Sequence, residues 1–144
     1  MNNKTLEYYK LIRNSVQFID VELLKLDCEK RTEELGDGRG VSLSLGRDVL
    51  NVKDNEAELI LNVELIGPND IFKIDLTYKG LCRNMNSDIS KAQFEQYAYD
   101  QIVPLLLPYA RECISNTLMR MKLPIFLLPT IDVLDTLEVN ATNE

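Results

Sequence analysis

The chain contains no histidine. That removes the usual general base, the Ser-His and Cys-His nucleophile pairs and the commonest metal ligand. Paired carboxylates at motif spacing and a metal-ligand cluster are missing too, so the chain is expected not to be an enzyme, with no cofactor and no metal. Cysteine is scarce: Cys28, Cys82 and Cys113 are far apart, odd in number and form no CxxC pair, which argues against a disulfide framework or a zinc knuckle and for a reducing compartment. Long apolar runs are lacking as well. The longest, residues 102–107, is too short to cross a bilayer, and the start MNNKTLEYYK has no apolar signal core, so the expected location is cytoplasmic, without direct membrane insertion. Basic residues are outnumbered 16 to 23, a formal charge of -7. Such a balance repels a phosphate backbone and argues against nucleic acid as a partner, while serving either solubility or a basic partner segment.

What remains is an ordinary globular composition, 45% hydrophobic and 27% charged over 144 residues. That length and balance predict one domain spanning 1–144, able to bury a single core, with flexible ends at about 1–8 and 138–144. No internal repeat or low-complexity tract interrupts it.

The apolar pattern has period two over most of the first 80 residues. In VQFIDVELLKLDCE (16–29), Ile19, Val21 and Leu23 hold one parity and Leu24, Leu26 and Cys28 the other. This predicts a strand whose register changes at Leu23-Leu24, through a bulge or by crossing to a second partner. The polar, glycine-rich KRTEELGDGRG (30–40) predicts an exposed loop. Its GDGRG lacks the lysine and hydroxyl of a phosphate-binding loop and leads into alternation rather than a helix. Val41, Leu43 and Leu45 define a second strand, and Leu59, Leu61, Val63 and Leu65 a third, joined by a turn at Asp54-Asn55. After the turn signal Gly67-Pro68-Asn69-Asp70, Phe72, Ile74, Leu76 and Tyr78 alternate with Lys73, Asp75, Thr77 and Lys79. This predicts a fourth strand with one apolar and one solvated face.

Helical spacing then takes over. Ser87 or Ser90 can cap a helix carrying Phe94, Tyr97 and Ala98 on one face. Pro104 and Pro108 predict a kink or a restart near Pro104, because each removes an amide donor and crowds the preceding turn. Ile114, Leu118 and Met121 mark an apolar stripe over 109–121, LPIFLLP (123–129) is a dense apolar loop, and Asp132 can cap a short terminal helix. Four strands followed by helices give an α+β domain, a four-stranded antiparallel sheet with helices packed on one side.

The segment PLLLPYARECISNTLMRMKLPIFLLPTI (104–131) resembles the C-terminal half of the SecB protein-export chaperones. The specific part is Pro108-Tyr109-Ala110-Arg111-Glu112, followed by a helix, a second proline and an apolar stretch ending in proline. The resemblance extends at the level of pattern over residues 16–137, where IFKIDLTYKGLC looks like the family's last strand and its glycine turn. It implies a homotetramer built as a dimer of dimers, holding unfolded preproteins in apolar grooves without nucleotide and passing them to the SecA motor of the Sec translocase. Burial in such grooves is non-directional, so selection is for being unfolded, and several weak sites add through effective concentration.

On this basis Ile125, Phe126, Leu127 and Leu128 are groove candidates or caps of the core, and Tyr78, Val41 and Leu43 are groove-wall candidates or core residues. Pro108, Tyr109, Ala110, Arg111 and Glu112 are expected to be structural or to serve an interface. The family docks SecA on an acidic sheet face, which places Asp75, with Asp20, Glu22 and Asp27, as docking candidates. Four departures from the family pattern stand out: Lys73 where an apolar neighbour of Asp75 is expected, no tryptophan before the second strand, Met121-Lys122 in place of the glycine after the main helix, and Asp132-Val133 at the start of the terminal helix. Two chaperone roles follow: a general export holdase, and a SecB-like chaperone dedicated to one partner such as an antitoxin of a toxin-antitoxin pair. A small-ligand module or enzyme on a similar scaffold is the third reading.

Overall fold

A computed structural model describes residues 3–31 and 40–124. The element order is α1 (Asn3–Ser15), β1 (Val16–Lys30), β2 (Ser42–Leu50), β3 (Glu56–Ile66), a short 3-10 turn (Pro68–Asp70), β4 (Phe72–Asn84) and α2 (Lys91–Arg120). The four strands form one antiparallel sheet in the order β1-β4-β3-β2. Helix α2 packs across one face of it, and that is where the core lies.

Alternation decides which face is which. In the central strand β3 every second residue, from Ala57 to Leu65, is buried, and its register partners on β4, Ile74, Leu76 and Cys82 among them, are buried with it. Paired residues share a face, so these side chains meet α2 through Phe94, Ala98, Ile102, Leu106, Ala110, Ile114 and Leu118. The other face carries Glu64, Asn62, Glu56, Lys73, Asp75, Lys79 and Arg83 and is solvated.

The register change read at Leu23-Leu24 is present: the pairing of β1 with β4 shifts between Leu23 and Lys25. A second shift, between Phe18 and Asp20, was not legible in the alternation. Together they keep Phe18, Val21, Leu23, Leu26 and Cys28 opposite Cys82, Gly80, Tyr78, Leu76 and Ile74, on the α2 side.

Two features of the helices differ from the sequence reading. Residues Asn3–Ser15, to which the sequence assigned no element, form helix α1. Helix α2 runs through both prolines as one element of 30 residues, where a kink or restart at Pro104 was expected. The bonds those prolines cannot donate are outweighed locally by burial, since Val103, Leu106, Leu107 and Ala110 are packed on the sheet around them. At the start, Ser90 and Gln93 form a full capping box, the Gln93 amide donating to Ser90 Oγ at 3.1 Å and the Ser90 amide to Gln93 Oε1 at 2.9 Å. Ser90→Ala is therefore expected to lower stability by about 1 kcal/mol, read as a shift in the urea midpoint with an unchanged slope.

Helix and sheet come close at Gly80, where an added Cβ would lie 3.0 Å from both Leu106 Cδ2 and Phe18 Cε2. The absence of a side chain there lets α2 settle against β4.

Candidate functional site

Toward the sheet edge formed by β1, the side that α2 covers runs out of cover. Val16 is buried, Phe18 and Val21 are half-buried, and Leu23 and Leu26 are 41% and 39% exposed. Cys28 and the bulged Leu24 are exposed as well. No described element packs over this end, so an apolar strip is exposed along a strand of 15 residues that forms the edge of the sheet and whose outer backbone groups have no strand partner among the described residues.

The covered end of the strip is walled by aromatic rings. Tyr109 of α2 stands beside Phe18 of β1 (centroids 6.3 Å apart) and Tyr78 of β4 (6.1 Å). Desolvation pushes the Tyr78 phenol up to about 12, with Cys113 and Glu112 adding to the effect. It is a neutral, half-buried ring at the mouth of the strip.

The candidate residues fall at several places. Tyr78 pairs with Leu23 on β1 and with Leu61 on β3, so it belongs to this mouth. Leu43 pairs with Leu65 on the opposite edge strand β2. It is thus about 10 Å from Tyr78 across the strands and about 13 Å along them. Val41 is exposed just ahead of β2. Within one chain these three do not form one wall. Ile125, Phe126, Leu127 and Leu128 lie outside the described residues. In the PYARE segment, Tyr109 joins helix to sheet, Ala110 is fully buried, Pro108 is exposed, Arg111 is half-buried, and Glu112 accepts from Asn116 at 3.2 Å one turn on.

The exposed residues of β1 were not among the groove candidates; their signal in the sequence was the apolar residues on both parities of the first strand, which pointed to a bulge or a second partner.

The four acidic docking candidates share the solvated face: Asp20, Glu22 and Asp27 pair with Leu81, Lys79 and Asp75. Two of the four, Glu22 and Asp75, are paired with lysines. Lys79 Nζ is 3.7 Å from Glu22, Lys25 Nζ 3.2 Å from Asp75, and Lys73 Nζ 3.5 Å from Glu64. The Asn62 amide donates to Asp75 at 2.8 Å and to Thr77 Oγ1 at 3.0 Å. Asn62 foremost, helped by Lys25 and Lys73, holds the Asp75 carboxyl below its ordinary range against desolvation, which acts the other way.

A carboxylate with a lowered folded pKa contributes stability that is present above its unfolded value and lost as the pH falls through the folded one. Asp75 is thus expected to add to acid sensitivity below about pH 4. Asn62→Ala should shrink the difference in urea midpoint between pH 5 and pH 3, whereas an unchanged difference would assign the acid loss to other carboxylates.

Among the described residues no group of three or more His, Cys, Asp or Glu converges on a common point. No described helix is long and apolar enough to cross a membrane. Burial pushes the Cys82 thiol up to about 12 and leaves it unreactive.

No protein-family model matches the chain, and neither does any curated protein. Among solved structures, the SecB-like chaperone of Mycobacterium tuberculosis, determined in complex with a ChAD peptide from the HigA1 antitoxin, superposes with a TM-score of 0.72. Identity is 18%, and the match covers 89% of this chain and 99% of that one. The fold is SecB-like. The four-stranded antiparallel sheet, its long helix and the PYARE segment within that helix all sit within this architecture. A protein of unknown function from Streptococcus agalactiae is a more distant likeness, with a TM-score of 0.49 and 12% identity over 78% of this chain and 95% of that one.

Proposed function

We propose that the chain is a nucleotide-independent chaperone that holds an extended, non-native protein segment on the apolar strip of β1, and that it serves a dedicated partner. The observation that carries this reading is the strip, with Leu23, Leu24, Leu26 and Cys28 exposed beside the Phe18-Tyr109-Tyr78 rings. An extended client presents apolar side chains at every second position, the same period as the strip, so burial requires no client helix and no fixed sequence.

The likeness to a chaperone bound to an antitoxin peptide supports the dedicated role. So does the solvated sheet face, where Lys25 and Lys79 pair with Asp75 and Glu22, two of the four acidic residues that SecA docking would use. General export with delivery to SecA is the second reading, and it rests on the PYARE resemblance. In either role the chain would act as a homo-oligomer, a dimer of dimers, since a long unpaired edge strand and an apolar strip both favour self-association.

Cys28 makes the binding measurable, because it lies on the strip and is exposed. A reduced, carboxymethylated unfolded protein is expected to slow alkylation of Cys28 at least about fivefold at saturation. Unchanged alkylation at excess client, together with no suppression of client aggregation by the chain, would refute the chaperone reading. Capture of many unrelated precursors, rather than one partner, would turn the assignment to the export holdase.

A further inference from the structure

Helix α1 closes the strip at its far end. β1 follows it with no intervening residue, and the exposure of the strip falls from Leu26 toward Val16 as α1 is approached. Among the described residues few contacts join α1 to the sheet and to α2, and its last residue, Ser15, is buried with its carbonyl accepting from the Met85 amide at 2.7 Å. Ile12 is its one fully buried apolar side chain, Tyr8 Oη donates to Asp100 Oδ2 of α2 at 2.7 Å, and the Tyr8 ring meets Tyr97 edge-on at 5.6 Å. Asp100 is itself held by Gln96 at 3.2 Å, so the acceptor is fixed in place before α1 arrives. The remainder of the helix, NKTLEYYKLIRNS, is mostly polar, with Leu11 exposed. At 13 residues it is too short to be stable alone, so it persists only while docked.

We propose that α1 is a displaceable strap, opening as a unit apart from the sheet and α2, and that its release extends the apolar strip past Phe18 to Val16 and the Tyr97 side of α2. The strap would set the length of client segment that fits: a short one on the open end, a longer one only when α1 lifts. This rests on the chaperone reading given above.

The test uses the full chain, with Ile12→Ala to remove the anchor and Tyr8→Phe to remove the hydrogen bond while keeping the ring. Hydrogen exchange by mass spectrometry is expected to show the α1 amides at least tenfold less protected than those of β3 and β4 in the native protein. Ile12→Ala should lower that protection at least another tenfold and Tyr8→Phe a fewfold, with β3 and β4 unchanged. Both variants should bind the carboxymethylated client severalfold more tightly, and saturating client should speed exchange in α1 of the native protein.

Protection of α1 equal to that of β4 would overturn the strap, as would variants that open α1 and yet bind the client with native affinity. If the native protein and both variants all fail to bind the client, the chaperone reading itself has failed. That outcome differs from failure of the strap, in which the native protein binds and loosening α1 changes nothing.

Discussion

The double variant Leu23→Ser/Leu26→Ser is expected to bind an unfolded client at least tenfold more weakly than the native chain, at little cost in stability. Each leucine is only about three-fifths buried in the free protein, at 41% and 39% exposure, so a bound segment would remove the remaining surface from water. At about 25 cal/mol per Å2 that is worth about 1.5 kcal/mol for each side chain, or about a hundredfold for both if the client covers them completely. The tenfold floor allows for imperfect contact and for the entropy of ordering the client. Leu50→Ser is the control, since Leu50 is 42% exposed but pairs with Glu58 on the solvated face. Fluorescence anisotropy with a labelled client separates the cases: equal losses in both variants would place binding elsewhere, and a native affinity in the double variant would remove the strip from the site. Light scattering on the same samples shows whether the leucines hold subunits together, because a fall in particle mass would identify the strip as a self-association surface.

The second large effect falls on folding. Gly67→Ala is expected to destabilise the domain by about 3 kcal/mol, read as a fall in Tm of about 10 °C by circular dichroism. The reason is steric and not conformational. Gly67 has ordinary extended angles, φ -73 and ψ 169, so any residue could adopt its backbone. A Cβ there would collide with the ring of Phe72, which is fully buried at the start of β4. The ring cannot move away easily, because the Gly67 amide donates to the Phe72 carbonyl at 3.0 Å and locks the two backbones together. Relief requires either loss of that bond or displacement of a core aromatic, and both are expensive. A change below about 0.5 kcal/mol would mean that the ring has another place to go.

These two sites differ in how visible they were beforehand. Gly67 stood in a turn signal, Gly67-Pro68-Asn69-Asp70, and the structure has a 3-10 turn there with Asn69 and Asp70 at positive φ. Its contact with Phe72 could not be read from spacing. The strip was half visible: apolar residues on both parities of β1 required a bulge or a second partner. The structure has the bulge, and it also leaves the strip open on the α2 side. Tyr78 was legible as an inward residue of β4 but not as a neighbour of Tyr109, because the resemblance in the PYARE segment carried no contact partner.

Helix α1 was not visible at all. Its residues have no strong apolar stripe, and its hold comes from Ile12 in the core and from Tyr8 on Asp100, 92 residues away. The prolines of α2 misled in the opposite direction. Proline in a helix interior reports a local cost, and the sequence says nothing of the burial at Val103, Leu106, Leu107 and Ala110 that offsets it.

By itself, then, the sequence determined what local chemistry can specify. Strand period, turn residues and a serine cap at Ser87 or Ser90 set the α+β architecture, and the structure places the cap at Ser90. Tertiary structure alone decided which apolar residues remain uncovered, that lysines sit beside Glu22, Glu64 and Asp75, and that a short polar segment folds back as a helix. The physical reason is range: period and capping act over a few residues, whereas exposure, charge pairing and docking depend on neighbours that only the folded chain brings together.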